Sequence, residues 1–231
     1  MSRDWETRPR LIGVTEPSDG PAPRIPKLRS ASGDEPPFDP TSWGGALVVM
    51  AVFAAVLWGV AIANAVDDHR LDRFGLRPRH VSGLWGIVAG PFLHTSAWQL
   101  LSSTGPFVLL GWAILLSGVR VWVVVTALVG VVGGVATWLI APNQLIVGCS
   151  ALIFGWMGYL LARAYFSRRI LWIAAAVLVA FFFSGLFGGL LPSINSNSSW
   201  QAHVCSFGAG ILTGWLLHPR RARNQKRVPA Q

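Results

Sequence analysis

The chain has 231 residues, 52% hydrophobic and only 13% charged, with a mean hydropathy of +0.50 and a formal net charge of +9. An ordinary soluble domain carries about 25% charged residues, so the composition argues against a soluble globular protein. It argues equally against a nucleic-acid partner, because the basic residues sit between apolar segments and in the C-terminal tail, the pattern that sets membrane topology. All ten acidic residues precede position 73. Beyond Asp72 no carboxylate is present to complete a catalytic triad or to hold a hard cation, and no metal is expected there.

Residues 1–42 are rich in Pro, Ser and mixed charge and lack the apolar run of a signal peptide. They read as a disordered cytoplasmic leader. Six apolar blocks follow, at approximately 44–66, 96–116, 121–140, 147–166, 170–191 and 202–217. Five of them are long enough to cross about 30 Å of hydrocarbon as helix. None alternates with period two, which argues against a β-barrel. The expected fold is all-α: a polytopic membrane domain of six transmembrane helices over 43–218, then a basic cytoplasmic tail, 219–231.

With the N-terminus cytoplasmic, the inner segments hold 15 Lys and Arg. The outer loops hold four, all in the first (Arg70, Arg73, Arg77 and Arg79). That asymmetry places both termini inside a cell membrane. It also puts Ser150, early in the fourth block, and His203, early in the sixth, at one depth just below the outer surface.

Ionisable groups inside a membrane are costly and mark functional sites. A serine hydroxyl with an imidazole to take its proton is the minimal kit for nucleophilic hydrolysis. Phe154, one turn after Ser150, packs against His203 if the fourth and sixth helices touch. The free N–H groups at a helix start favour a developing oxyanion, and the second block adds donors at Gln99 and Ser103, four residues apart, with His94 just before them. His203, Ser206, Gly210 and Gly214 share one face, as do Ser150, Phe154 and Gly158, and small residues allow close helix approach in lipid. Cys149 and Cys205 read as small apolar fillers. The polar run Asn195–Ser199 reads equally as a substrate gate or an exposed loop. Phe181–Phe183 reads as a lipid- or substrate-facing wall, and the tryptophans near block ends as interfacial anchors.

Gly148-Cys149-Ser150-Ala151 with Phe154-Gly155 resembles the serine motif of the rhomboid intramembrane proteases. Ala202-His203 with Gly210 resembles their last-helix histidine motif. The stretch from Pro91 to Ser103 resembles their second-helix motif, and Phe74-Gly75-Leu76-Arg77-Pro78-Arg79 resembles bacterial first-loop sequences. The resemblance covers roughly 44–217. It implies a six-helix rhomboid-like bundle with a water-filled cavity open to the outer face, Ser150 as nucleophile, His203 as general base, and no cofactor. The substrates it implies are transmembrane proteins cut within or near their membrane segments.

This chain also departs from the family pattern. Gln99 stands at the second histidine of the second-helix motif, His94 at the first, and Ser103 at its asparagine. Ala151 replaces a glycine after the serine, and Ser206 a glycine that brings the fourth and sixth helices together. Gln99 and Ser103 can still donate hydrogen bonds, so the departures leave open an oxyanion site built from different donors. A second reading follows from the same departures: a catalytically silent rhomboid-like protein that binds client transmembrane helices.

Overall fold

The computed structural model describes residues 39–167, 190–191 and 199–217. The leader up to residue 38, most of the fifth apolar block with Phe181–Phe183, the run Asn195–Ser198 and the basic tail lie outside them. Every regular element among the described residues is helical, and the single extended pairing among them is an isolated antiparallel bridge between Leu76 and Ile146.

The first helix, α1, spans Trp43–Val66. Ser42 caps it, its Oγ accepting the Gly45 N–H at 3.0 Å. Upstream, the Asp39 carboxylate accepts the Thr41 N–H and hydroxyl at 2.8 and 2.7 Å. Those bonds, the backbone one foremost, hold the carboxyl below its usual range. The next helix, α2, spans Ala97–Leu115. Trp112 ties the two together: its Nε1–H donates to the Trp43 carbonyl at 3.0 Å, and the two indoles meet edge to face.

A third helix, α3, runs over Val119–Ile140 and is opened by one π turn at Val129–Gly133. By length and composition, α1, α2 and α3 are, among the described residues, the helices able to cross a membrane. Among the described residues two more follow, α4 (Ser150–Ser167) and α5 (Trp200–Leu216). These five occupy five of the six expected blocks.

The block boundaries differ from expectation at one informative place. Val147–Cys149 belong to the fourth apolar block by hydropathy, yet the chain there is not helical. Gly148 has φ +115°, a region side chains rarely adopt. The helix therefore starts at Ser150, which puts the serine in its first turn.

In lipid, helix association rests on close contact rather than on removal of apolar surface from water. The α4–α5 seam is made by glycines. A β-carbon on Gly210 would strike the Gly155 carbonyl, and one on Gly158 would strike the Phe207 carbonyl. Ser206 stands beside this seam where the family pattern has a glycine. Its hydroxyl is turned toward α3, where a β-carbon on Gly133 would lie 2.6 Å from it. The π turn and its glycine absorb the extra atom. On the other side of α4, Trp156 is fully buried against Phe107 and Trp122, and its Nε1–H donates to Thr126 Oγ1 at 3.1 Å.

The connection from α1 to α2 carries short helical turns at Arg70–Phe74, Val81–Trp85, Gly86–Ala89 and Gly90–Phe92. Asn64, fully buried at the end of α1, pins its start. It accepts the Leu71 N–H at 3.0 Å and donates to Asp72 at 2.9 Å. Further on, Leu76 and Ile146 exchange both backbone hydrogen bonds at 2.9 Å, and Gly148 donates its N–H to the Gly90 carbonyl at 2.9 Å. The first loop is thereby fastened to the segment that delivers Ser150.

Candidate active site

Ser150 Oγ and His203 Nε2 are 3.0 Å apart. Three local features produce this approach. Gly148 turns the chain so that α4 begins at the serine. Ser199 caps α5 through the Ala202 N–H, placing His203 in its first turn. The glycine seam then brings the two helix starts together. Phe154, one turn below Ser150, stacks on the imidazole with ring centroids 4.2 Å apart and an interplanar angle of 23°. His203 is buried at 6% exposure.

A cavity of about 330 Å³ opens over the pair. Gln99, Gly148 and Ala151 line it with Ser150 and His203, and Thr95 and Gln144 stand at its polar edge. Among the described residues no Asp, Glu, Lys or Arg lines it. A β-carbon on Gly148 would lie 2.8 Å from Gln99 Nε2 and 3.8 Å from Ser150 Oγ. The bare glycine thus leaves open a space on which an amide donor and the serine oxygen converge.

The backbone N–H groups around the serine divide their tasks. Gly148 N–H is used on Gly90, and Cys149 N–H donates to His94 Nε2 at 3.4 Å. Among the described residues the Ser150 N–H has no acceptor, as the first N–H of a helix has none within it. It is free to donate to a group in the cavity.

His94 and Ser103 are placed differently from Gln99. His94, 2% exposed, sits beneath the Gly148–Cys149 turn and supports it through that one bond. Ser103 is buried and does not line the cavity. Cys149 and Cys205 are both free thiols, the first buried. Gly210 acts at the seam rather than at the cavity.

Sequence reasoning missed Thr95. Ser96 and Gln99 have the spacing of a capping box, in which the third residue's side chain reaches back to a backbone N–H before the helix. That signal was available. Ser96 Oγ accepts the Gln99 N–H at 3.1 Å, and Gln99 Oε1 accepts the Thr95 N–H at 3.0 Å, one residue upstream of the usual partner. Among the described residues no group of three or more His, Cys, Asp or Glu side chains is placed to hold a metal.

The Rhomboid domain matches residues 81–220 of this chain. The chain belongs to the rhomboid family. Its relatives include an uncharacterized protein of Mycobacterium tuberculosis, 34% identical over 199 residues that cover 81% of this chain and 82% of that one. A Mycobacterium bovis protein, also uncharacterized, matches at the same identity and coverage. An uncharacterized protein of Mycobacterium leprae is 36% identical over 179 residues, covering 74% and 70% of the two chains.

Proposed function

We propose that this rhomboid protein is an intramembrane serine protease that cuts transmembrane proteins in or near their membrane segments. The 3.0 Å contact between Ser150 Oγ and His203 Nε2 carries the reading. Ser150 Oγ attacks the scissile carbonyl carbon while its proton passes to His203 Nε2. The carbonyl oxygen takes up negative charge beside the Ser150 N–H and the Gln99 amide. The C–N bond then breaks, the amine leaves with the proton from His203, and an acyl-serine ester remains. Water, deprotonated by His203, hydrolyses that ester and restores the serine. Phe154 holds the imidazole flat where a triad would use a carboxylate. No cofactor takes part. In this reading six helices span the cell membrane, both termini are cytoplasmic, and the cavity opens to the outer face. The leader and the tail flank the membrane domain.

Reaction of the detergent-solubilised protein with a fluorophosphonate probe tests the reading. The Ser150 Oγ–P bond forms, the P–F bond breaks, fluoride leaves, and the hydroxyl proton goes to His203. Labelling is expected in the wild type, absent in Ser150→Ala and strongly reduced in His203→Ala. A folded wild type that takes no label favours the second reading, a silent client-binding protein. The burial of Ser103 away from the cavity is the observation in that reading's favour.

A further inference from the structure

We propose that Thr95 is a positioning residue for this reaction: it sets which end of the Gln99 carboxamide faces Ser150, and it strengthens the donor it presents there. The inference rests on the protease reading and on the assignment of Gln99 as an oxyanion donor.

A glutamine amide has an acceptor end and a donor end, and only the donor end can stabilise an oxyanion. Two neighbours fix the choice. The Thr95 backbone N–H, which can only donate, meets Oε1 at 3.0 Å. The Val147 carbonyl, which can only accept, receives Nε2–H at 3.3 Å. A flipped amide would set donor against donor and acceptor against acceptor. The Thr95 hydroxyl is a second donor to the same Oε1, at 3.2 Å. The carbonyl end is therefore gripped twice from one residue, outside the helix, while Ser96 fixes the backbone of Gln99 itself.

The geometry leaves the amide with work to do. An NH₂ group has two hydrogens, and Val147 takes one. The nitrogen lies 2.8 Å from the empty β-carbon position over Gly148, the space that Ser150 Oγ also borders at 3.8 Å. The second hydrogen is the one available to an oxygen placed there. Donation into Oε1 by both Thr95 groups also draws electron density from the amide nitrogen, which makes its hydrogens better donors, as in any hydrogen-bonded chain. Thr95 itself lines the cavity together with Gln99 and Ser150.

The competing explanation is that Thr95 only caps α2. A double-mutant cycle separates the two, because a residue acting through Gln99 must lose its effect when Gln99 is gone. The readouts are the maximal labelling rate kinact, the probe KI and the thermal unfolding midpoint. Thr95→Val, which keeps the shape and the backbone N–H, is expected to lower kinact about 3- to 10-fold, the equivalent of one ordinary hydrogen bond, with KI unchanged. Thr95→Ser restores the hydroxyl and should return to within about twofold of wild type. In a Gln99→Ala background, itself slowed about 10²- to 10³-fold, Thr95→Val should change kinact by less than about twofold. If Thr95→Val slows both backgrounds equally, or lowers the unfolding midpoint without touching kinact, the assignment of Thr95 is overturned while the protease reading stands. A folded wild type that never labels overturns the protease reading and this inference with it.

Discussion

Gly210 on α5 lies so close to the carbonyl of Gly155 on α4 that the smallest side chain has no place between them. The Ser150–His203 contact sits at the open end of this seam, about two helical turns above Gly210. Gly210→Ala forces the helices apart, and overpacking a close contact costs about 1–3 kcal/mol. The displacement also lengthens the serine–histidine contact. The expected result is a lower unfolding midpoint with a fall in probe labelling larger than stability loss alone explains. Gly208→Ala is the control: a β-carbon there meets nothing within 4 Å, and both readouts should stay at wild type. Equal behaviour of the two variants would show that the seam does not position the dyad.

The π turn of α3 and Ser206 form a matched pair. A β-carbon on Gly133 would lie 2.6 Å from Ser206 Oγ and 2.8 Å from its α-carbon. Gly133→Ala should therefore destabilise the protein by about 1–3 kcal/mol. Adding Ser206→Gly removes the nearest obstacle but not the backbone behind it, so only part of the loss should return. Ser206→Gly alone leaves a gap beside α3 rather than tightening α4 on α5. Thermal unfolding of the three variants checks this, and a double variant no better than Gly133→Ala rules out the pairing.

How much of this was legible in the sequence differs by residue. The helices followed from hydropathy, since apolar blocks of bilayer length have few other structures available. Ser150 and His203 stood out because polar reactive groups are rare in such blocks. Hydropathy could not see the break at Gly148, because Val147 and Cys149 are as apolar as the helix they precede. It could not tell which neighbour the Ser206 hydroxyl would face, since that depended on a π turn in α3 that leaves no periodic signature. The different placements of Gln99 and Ser103 were likewise hidden. They lie one turn apart on one face, yet Gln99 reaches the cavity and Ser103 is buried away from it.

Asn64 is a structural polar group at the base of the first loop. Fully buried, it accepts from Leu71 and donates to Asp72. His69 also lies against it, its Nδ1 3.3 Å from the Asp72 carboxylate. Asn64→Leu removes the amide and leaves the Leu71 N–H and the Asp72 oxygen without their partner. Both groups are partly buried, so leaving them unpaired costs less than the about 1–3 kcal/mol of a fully buried group. The loop from Arg70 to Phe92 should loosen before the helices do, because its start is pinned at this one residue. Hydrogen exchange is the direct measurement: faster exchange at Leu71 and through the loop, with α4 and α5 protected as before. Unchanged exchange in the loop would mean that the Leu76–Ile146 bridge alone anchors it.

Gln99→Glu asks whether the amide donates to the reacting centre. The carboxylate is nearly the same shape, and one oxygen can still accept from both Thr95 groups. The other oxygen replaces Nε2. It faces the Val147 carbonyl at the position of a bond that was 3.3 Å long, acceptor against acceptor. It also brings negative charge to the space over Gly148 where the oxyanion forms. Gln99→Met keeps the length of the side chain and simply omits the donor. Loss of one oxyanion donor costs about 10²- to 10³-fold in rate, so Gln99→Met should label that much more slowly. Gln99→Glu should be slower still, because it opposes the charge rather than only failing to meet it. The order wild type, Met, Glu in kinact, with comparable unfolding midpoints, places the amide at the oxyanion. A glutamate variant that labels as fast as wild type would remove Gln99 from that role and leave the Ser150 N–H as the donor the cavity offers.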